Sequence, residues 1–233
     1  MDRDDPFAST RRVLSEAGLN LFGVLSIERY DAEVPAAWRA AAELPGARSA
    51  VLVGAAGRAL FAAFGRAPEA GLARDPLDHY TRRMVEAAAL PLAGRALFAF
   101  EWRGERFADF VALGRAAGLG ASSRLGLLVH PEYGPWISLR ALMLLPLALP
   151  ETPPLDDFDP CRGCPAPCSR ACPGSALADE HFDIGRCAAT RRRVPGCALK
   201  CDARRACVLG SGYRYHDFAE AHHMRQPALD NFV

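Results

Sequence analysis

Residues 161–173 read CRGCPAPCSRACP, and this stretch decides how the rest of the chain is interpreted. Its cysteines follow the pattern Cys161-x2-Cys164-x3-Cys168-x3-Cys172, and Pro173 comes directly after the last of them. Thiols at this spacing, ending in Cys-Pro, are typical of iron-sulfur ligation, in which three thiolates bind one [4Fe-4S] cube and the next binds a second cube. The stretch therefore predicts a protein that handles electrons.

The remaining cysteines complete the ligand count. The chain contains eight cysteines, which is the number that two [4Fe-4S] clusters require. The bacterial two-cluster ferredoxins that this run resembles exchange ligands between their two halves. That resemblance implies one cube held by Cys161, Cys164, Cys168 and Cys207 and another held by Cys172, Cys187, Cys197 and Cys201. The chain departs from the ferredoxin pattern by one extra residue between Cys164 and Cys168 and by Val208, where Pro is expected.

Disulfides and structural zinc are the other common uses of clustered cysteines. Disulfides suit a short secreted chain, but charged side chains interrupt residues 1–20 and leave no apolar signal-peptide core. Zinc sites prefer two short Cys or His pairs separated by a spacer, whereas residues 161–172 hold four cysteines in one run. Both alternatives stay open, and the spacing disfavours them.

Charge around the cysteines also favours clusters. Residues 161–214 contain ten Arg or Lys against four Asp or Glu, a surplus suited to compensating the negative charge of thiolate-bound cubes. The alternative is a basic face for an acidic partner or nucleic acid, for which Arg191, Arg192 and Arg193 are available.

Composition sets further limits. Half of the 233 residues are hydrophobic, so the chain can bury a large core. Its net charge is +1, so the protein as a whole has no strong electrostatic attraction for a polyanion. Lys200 is the only lysine, which excludes a Walker-type phosphate loop before the cysteines. The longest apolar run, residues 141–150, is half a membrane span and contains Pro146. We expect a cytoplasmic protein with no membrane partner.

The pattern of apolar residues predicts a mixed α+β or layered α/β fold. The predicted elements are a first helix capped by Ser9 or Thr10, strands at residues 21–27, 50–53 and 125–129, and helices at residues 77–96, 106–117 and 138–145. Pro150, Pro153 and Pro154, with the acidic residues that follow, form the one convincing linker. We therefore predict a domain at residues 1–154 and a cluster module at residues 155–233.

Several segments, taken in order, resemble the epoxyqueuosine reductase family. They are Ala117-Gly118-Leu119-Gly120, residues 127–136 (LLVHPEYGPW), Leu144-Leu145-Pro146-Leu147 and then the cysteine run. The resemblance, over residues 40–210, implies a nitroreductase-like domain that binds cobalamin, followed by a ferredoxin-like module with two [4Fe-4S] clusters. It also implies electron flow through the cubes to cobalt, in a short form without the family's C-terminal helical repeats.

The chain departs from that family where the family's own reaction is carried out. Residues 121–124 (ASSR) replace the family's Gly-Lys-Asn stretch, and Glu101, Glu105 and Asp109 stand at shifted spacing near the position of its catalytic Asp. No catalytic residue or general acid can be assigned. We therefore expect a different substrate, with tRNA a less favoured partner than a small molecule or cobalamin itself.

The segment from Val129 to Trp136 is the predicted wall of the cobalamin pocket, with contacts from His130, Tyr133, Gly134 and Trp136. A lone His beside Pro is more often a satisfied structural residue, and aromatic residues near Gly and Pro are often core plugs. The histidine-containing tail after Tyr213 is expected to dock over a cluster rather than bind a metal.

Two classes of function follow. The first is an iron-sulfur oxidoreductase that passes electrons to cobalamin, either for a reductive reaction or to reduce cobalamin, with an electron donor such as a flavodoxin or ferredoxin reductase. The alternative is a non-catalytic ferredoxin-type electron carrier or cobalamin chaperone. A weaker third reading is a flavin enzyme, because nitroreductase-like folds often bind FMN.

Overall fold

The computed structural model describes residues 6–101, 107–177 and 181–224. The chain divides into two compact units, one formed by Met1–Leu119 with Ser138–Asp156 and the other by Gly120–Ile137 with Asp157–Val233. The sequence-based division between residues 154 and 155 assigns residues 120–137 to the first domain. The contacts instead group that segment with the cysteine-rich unit.

Helices and strands alternate along the described residues. The strands are β1 (Leu21–Ser26), β2 (Ser49–Ala56), β3 (Arg95–Phe98), β4 (Ala121–Ser122), β5 (Leu128–Val129) and β6 (Ile137–Leu145). The α-helices are α1 (Ala8–Glu16), α2 (Ile27–Glu33), α3 (Ala40–Glu43), α4 (Ala59–Phe64), α5 (Pro76–Ala89), α6 (Phe110–Ala116), α7 (Pro167–Ala171), α8 (Ile184–Arg193), α9 (Asp202–Arg205) and α10 (Asp217–Met224). Short 3-10 turns lie at Ala36–Trp38, Pro68–Gly71, Leu90–Leu92, Pro195–Ala198 and Ser211–Tyr213.

The first unit is built on a four-stranded sheet in the order β1-β2-β6-β3. Strands β1 and β2 are antiparallel, with Leu21 opposite Gly54, and β3 and β6 are antiparallel, with Phe98 opposite Ala141. Every residue of β2 is buried, which explains why this strand reads as a continuous apolar run without alternation. The mixture of helices with this sheet confirms the predicted α+β class.

One face of the sheet packs against helices to form the main core. Leu14 of α1, Leu60 of α4 and Leu77 of α5 join strand residues such as Val51 and Met143 in one buried cluster. The Tyr80 hydroxyl donates to the carbonyl of Ala17 across 2.9 Å, which satisfies the polar end of this buried ring. Burial of this apolar stripe stabilises α5 more than helix propensity alone can.

One predicted helix was wrong, and another ends earlier than predicted. Residues 138–145 lie in strand β6 and not in a helix. Residues 140–145 are all buried, and a short run that is buried on both faces carries no periodicity that separates a strand from a helix. The predicted helix 77–96 ends at Ala89, and a 3-10 turn and the left-handed Ala93 (φ +51°) lead into β3.

Helix starts differ from the sequence in detail. The first helix begins at Ala8, so Ser9 and Thr10 lie inside it and do not cap it. Helix α6 begins at Phe110, where the Asp109 carboxylate accepts hydrogen bonds from the N–H groups of Val111 and Ala112. The start predicted at Arg106 and the nearby Glu105 lie outside the described residues.

The second unit combines a small hairpin with short helices. Strands β4 and β5 pair antiparallel, with Ala121 opposite Val129, and a backbone bridge joins His130 to Gly134 immediately afterwards. Helices α7 to α10 supply the rest of the unit. Throughout the part of the chain that is described, no helix has the length and apolar character needed to span a membrane.

Candidate iron-sulfur site

The first predicted ligand set is brought together in the second unit. Burial raises the pKa of the Cys207 thiol, and the nearby thiols of Cys168, Cys164 and Cys161 raise it further. Cys168 is buried on α7, which begins with Pro167 at a position where a missing N–H costs no hydrogen bond. Cys207 therefore lies near enough to interact electrostatically with the three cysteines that the ferredoxin resemblance assigned to the same cube, and it packs in one apolar cluster with Cys168.

The second predicted set lines one cavity. Cys172, Cys187, Cys197 and Cys201 all border a small space of about 40 Å³. Burial raises the pKa of the Cys187 thiol, and neighbouring charge on Cys201, Cys172 and Cys197 adds to this effect. Burial likewise raises the pKa values of Cys197 and Cys201. These four thiols thus line one cavity, and two of them, Cys172 and Cys201, pack in the same apolar cluster as Cys168 and Cys207 of the first set.

The donor chemistry of the two sets fits two [4Fe-4S] clusters. Each set contributes four thiols, and raised thiol pKa values mean that metal binding must release protons. Within the described residues, no three His, Cys, Asp or Glu side chains converge as ligands of a single metal ion. A four-iron cube does not need such convergence, because each thiolate binds a different iron atom.

Short helices and turns position the ligands of the second set. Cys187 lies on α8, whose first turn is capped by the Asp183 carboxylate. The sulfur of Cys172 accepts a hydrogen bond from the N–H of Ala176 at 3.4 Å, and the sulfur of Cys201 accepts one from the N–H of Arg204 at 3.4 Å. Backbone N–H groups that point at cysteine sulfurs stabilise negative charge on them.

His130 is held by the turn that it begins. Its Nδ1 atom accepts hydrogen bonds from the backbone N–H groups of Glu132 and Tyr133, at 3.1 and 3.2 Å. Burial lowers the pKa of His130, while Glu132 partly offsets that effect. The ring is therefore neutral near pH 7, and its hydrogen bonds assign the proton to Nε2.

Gly134 allows the turn to pack against the chain that follows Cys207. Its φ is +59°, and a Cβ atom there would lie 2.3 Å from the carbonyl oxygen of Leu209. Gly210 makes the reciprocal contact, since its Cβ would lie 2.1 Å from the carbonyl oxygen of Tyr133. The segment 130–136 therefore supports the backbone beside a predicted cluster ligand.

Trp136 is a core residue of the second unit. It is 0% exposed, and its ring packs edge-on against Tyr215 with centroids 5.4 Å apart. The guanidinium of Arg204 lies 4.8 Å from the centroids of both rings and donates to the carbonyl of Pro135. Of the two roles that the sequence left open for this tryptophan, the structure favours the core plug over a pocket wall.

Tyr133 stays half-buried beside the histidine. Its ring lies 4.7 Å from that of His130 and 4.7 Å from that of Tyr213, centroid to centroid. The Tyr213 hydroxyl donates to the Glu132 carboxylate, so the start of the tail is fixed to the turn. Of the four predicted contacts, His130 and Tyr133 are the residues that keep some exposure.

Helix α10 packs next to the second thiol set. The carboxylate of Glu220, which is fully buried, accepts hydrogen bonds from the N–H of Cys201 and from Nε of Arg205. Arg191 donates to the carbonyl of Met224 at the helix end. This agrees with the expectation of a docked tail up to Met224, and residues 225–233 lie outside the described part.

Sequence reasoning counted Arg191 and Arg204 among the basic residues that compensate cluster charge, without singling them out, and it missed Glu220. All three are buried. The spacing of Arg191 four residues after Cys187 was a usable signal, because residues four apart on a helix share a face. No local pattern marks Glu220.

The fold and the two thiol sets define an α+β protein with a cysteine-rich second unit. No family model matches the chain, and no curated protein matches its sequence. Among solved structures, the fold is that of epoxyqueuosine reductases, as the resemblance predicted. The enzyme from Bacillus subtilis aligns with 91% of this chain and 68% of its own, at 17% identity and a TM-score of 0.57.

Two other kinds of protein share the fold. The C. elegans B12-trafficking protein CblC, a human MMACHC homologue, aligns over 97% of this chain and 96% of its own, at 15% identity and a TM-score of 0.54. A catabolic reductive dehalogenase aligns over 96% of this chain but only 36% of its own, at 17% identity and a TM-score of 0.55. At these identities the likeness establishes the fold alone.

Proposed function

We propose that this protein is an iron-sulfur oxidoreductase in which two [4Fe-4S] clusters deliver electrons to a cobalamin, for a reductive reaction or for reduction of cobalamin itself. The observation that carries the proposal is the gathering of eight cysteines into two sets of four. The fold adds support, since its neighbours include a B12-trafficking protein and a reductive dehalogenase for which B12-dependent dehalogenation is suggested.

The residues around the thiols suit electron transfer. When bound, the cubes would supply one-electron steps, and the eight thiolates would hold them. Arg191 and Arg204 are buried positive charges that lower the pKa of nearby thiols in the second set, which favours the ligating thiolate form. The N–H donors to Cys172 and Cys201 act in the same direction.

Cobalamin fits the predicted wall only in part. Trp136 and Gly134 are buried, and the cavity of about 40 Å³ between the second thiols is far too small for a corrin ring. Of the four predicted contacts, His130 and Tyr133 remain accessible to a corrin. Because the proton of His130 is assigned to Nε2, this nitrogen would donate to a corrin amide rather than ligate cobalt.

A second candidate is a cobalamin chaperone or electron carrier that performs no turnover. One observation favours it: the B12-trafficking protein and this chain align over nearly the full length of both. In either case we propose a cytoplasmic protein, with an electron donor such as a flavodoxin or ferredoxin reductase. A small molecule or cobalamin is the favoured substrate, and tRNA is less favoured, although one structural neighbour was solved with a tRNA stem loop.

The test is a cobalamin titration of anaerobically reconstituted protein, with iron and acid-labile sulfide counted on the same sample. We expect about eight irons per chain and a saturable shift of the corrin absorption bands. An iron content near eight per chain without a shift of the corrin bands would exclude cobalamin from the proposal and favour an electron carrier. Failure to assemble clusters would overturn the whole proposal. Saturable binding without dithionite-driven turnover of any reducible substrate would favour the chaperone.

A further inference from the structure

Arg191 is a buried arginine that faces the second set of thiols. Its side chain lines the same cavity as Cys187 and Cys197 and is 6% exposed. Arg191 follows Cys187 by four residues on α8, so the helix presents both side chains on one face. The neighbouring Arg192 and Arg193 are exposed, which separates Arg191 from any basic surface patch.

The hydrogen bonds of Arg191 are incomplete. Its Nη2 donates to the carbonyl of Met224, at the end of α10. The buried Nε and Nη1 atoms have no hydrogen-bond partner among residues 6–101, 107–177 and 181–224. A buried charged donor without an acceptor is destabilising, because it has lost its hydrogen bonds to water. The guanidinium is therefore arranged for an acceptor that the described side chains do not supply.

The character of that acceptor follows from the surroundings. Four thiols border the cavity, and Arg191 lines it together with them. Lys200 also borders the cavity but is exposed and pairs with Asp202 at 3.4 Å. The acceptor that suits Arg191 is thus an anionic, sulfur-rich group held between the thiols.

We propose that Arg191 is a positioning residue for the group bound by Cys172, Cys187, Cys197 and Cys201, to whose sulfur atoms it donates its Nε–H and Nη1–H. The inference rests on the proposed function, since it requires a cluster between these thiols. Hydrogen bonds and positive charge at the sulfurs stabilise the reduced, more negative cluster. Arg191 therefore raises the reduction potential of this cluster and leaves the other cluster unchanged.

The test compares Arg191→Gln with Arg192→Gln, which removes the same charge from an exposed position on the same helix. The reconstituted full chain is titrated anaerobically and followed by EPR. We expect Arg191→Gln to move one of two reduction steps to lower potential and Arg192→Gln to move neither. An Arg191→Gln protein that keeps about eight irons and both wild-type potentials would overturn the inference alone.

If Arg191→Gln loses a cluster, its reduction potential cannot be compared, and Arg191→Lys is measured as well. This variant keeps the positive charge but not the paired N–H donors. If Arg191→Lys keeps both clusters, a lower reduction potential for one of them supports the inference. Two unchanged potentials contradict it. Loss of about four irons from both variants, with unchanged far-UV circular dichroism, also supports it. Loss of all iron together with helical signal would assign Arg191 to the fold and overturn it. A wild-type chain that binds no clusters instead overturns the proposed function.

Discussion

The carboxylate of Glu220 accepts a hydrogen bond from the backbone N–H of Cys201, with 2.9 Å between nitrogen and oxygen. Glu220 is fully buried, and its other oxygen lies 2.7 Å from Arg205. A buried carboxylate is tolerated only when it is paired and hydrogen-bonded in this way. The tail helix α10 is thus fixed to the turn that carries a predicted cluster ligand.

Replacing Glu220 by Ala should loosen that attachment. The variant loses hydrogen bonds to a charged acceptor, each of which contributes about 1.5–3 kcal/mol, so we expect a lower free energy of unfolding and faster loss of iron in air. Urea unfolding of the anaerobically prepared protein, followed by circular dichroism, measures the first effect, and bleaching of the visible absorption measures the second.

Asp217 provides the matched control for Glu220. Its carboxylate also pairs with Arg205, at 2.6 Å, but its side chain is 94% exposed. Exposed ion pairs contribute little, so Asp217→Ala should leave the urea midpoint and the rate of bleaching near the wild-type values. Equal effects in the two variants would mean that the burial of Glu220 is unimportant.

Pairs of cysteine substitutions should reveal how the ligands are divided. Cys172→Ala with Cys201→Ala removes two ligands from the second set, so we expect about four irons to remain per chain. Cys172→Ala with Cys207→Ala removes one ligand from each set and should leave neither cluster intact. Iron and sulfide analysis of the purified variants is the measurement. Cys172→Ala alone retaining about eight irons would contradict the assignment.

The candidate ligands stand out in the sequence because their chemistry is local. Four cysteines within residues 161–172 have few uses, and their spacing reports the geometry of a cube directly. Strand β6 was misread as a helix for the opposite reason. Its Leu, Met and Ala residues favour a helix by propensity, and only pairing with neighbouring strands in a buried sheet overrides that preference.

The roles of Trp136 and Arg191 depend on distant parts of the chain. Trp136 is enclosed by Tyr215 from the tail, and Arg191 is fixed by the carbonyl of Met224. Arg191 and Arg192 have the same side chain, and their positions on the helix relative to Cys187 and the cavity separate them. The role of His130 could not be predicted from the sequence either, because its hydrogen bonds exist only once the turn is formed.

Gly134→Ala should destabilise the second unit. The added Cβ would clash with the carbonyl of Leu209, and φ at this position is +59°, a region that costs an L-residue about 1–2 kcal/mol even without a clash. We expect a lower urea midpoint and weaker retention of the cluster that uses Cys207. Iron content after gel filtration measures the retention.

Gly212→Ala is the control for that substitution, because nothing lies within 4 Å of its added Cβ. Its unfolding midpoint and iron content should match those of the wild type. If Gly134→Ala behaves like Gly212→Ala, the close packing between the turn and Leu209 does not constrain the protein.

The free energy of unfolding should decrease as the pH falls below the ordinary titration range of His130. Because burial lowers the pKa of His130 in the folded protein, the fold favours the neutral ring. This contribution is complete above the unfolded pKa and is lost as the pH falls through the folded pKa. His130→Asn offers an oxygen in place of Nδ1 and does not titrate, so its unfolding midpoint should depend less on pH between 7.5 and 5. Urea midpoints of both proteins across this range test the point, and parallel curves would show that protonation of His130 does not couple to folding.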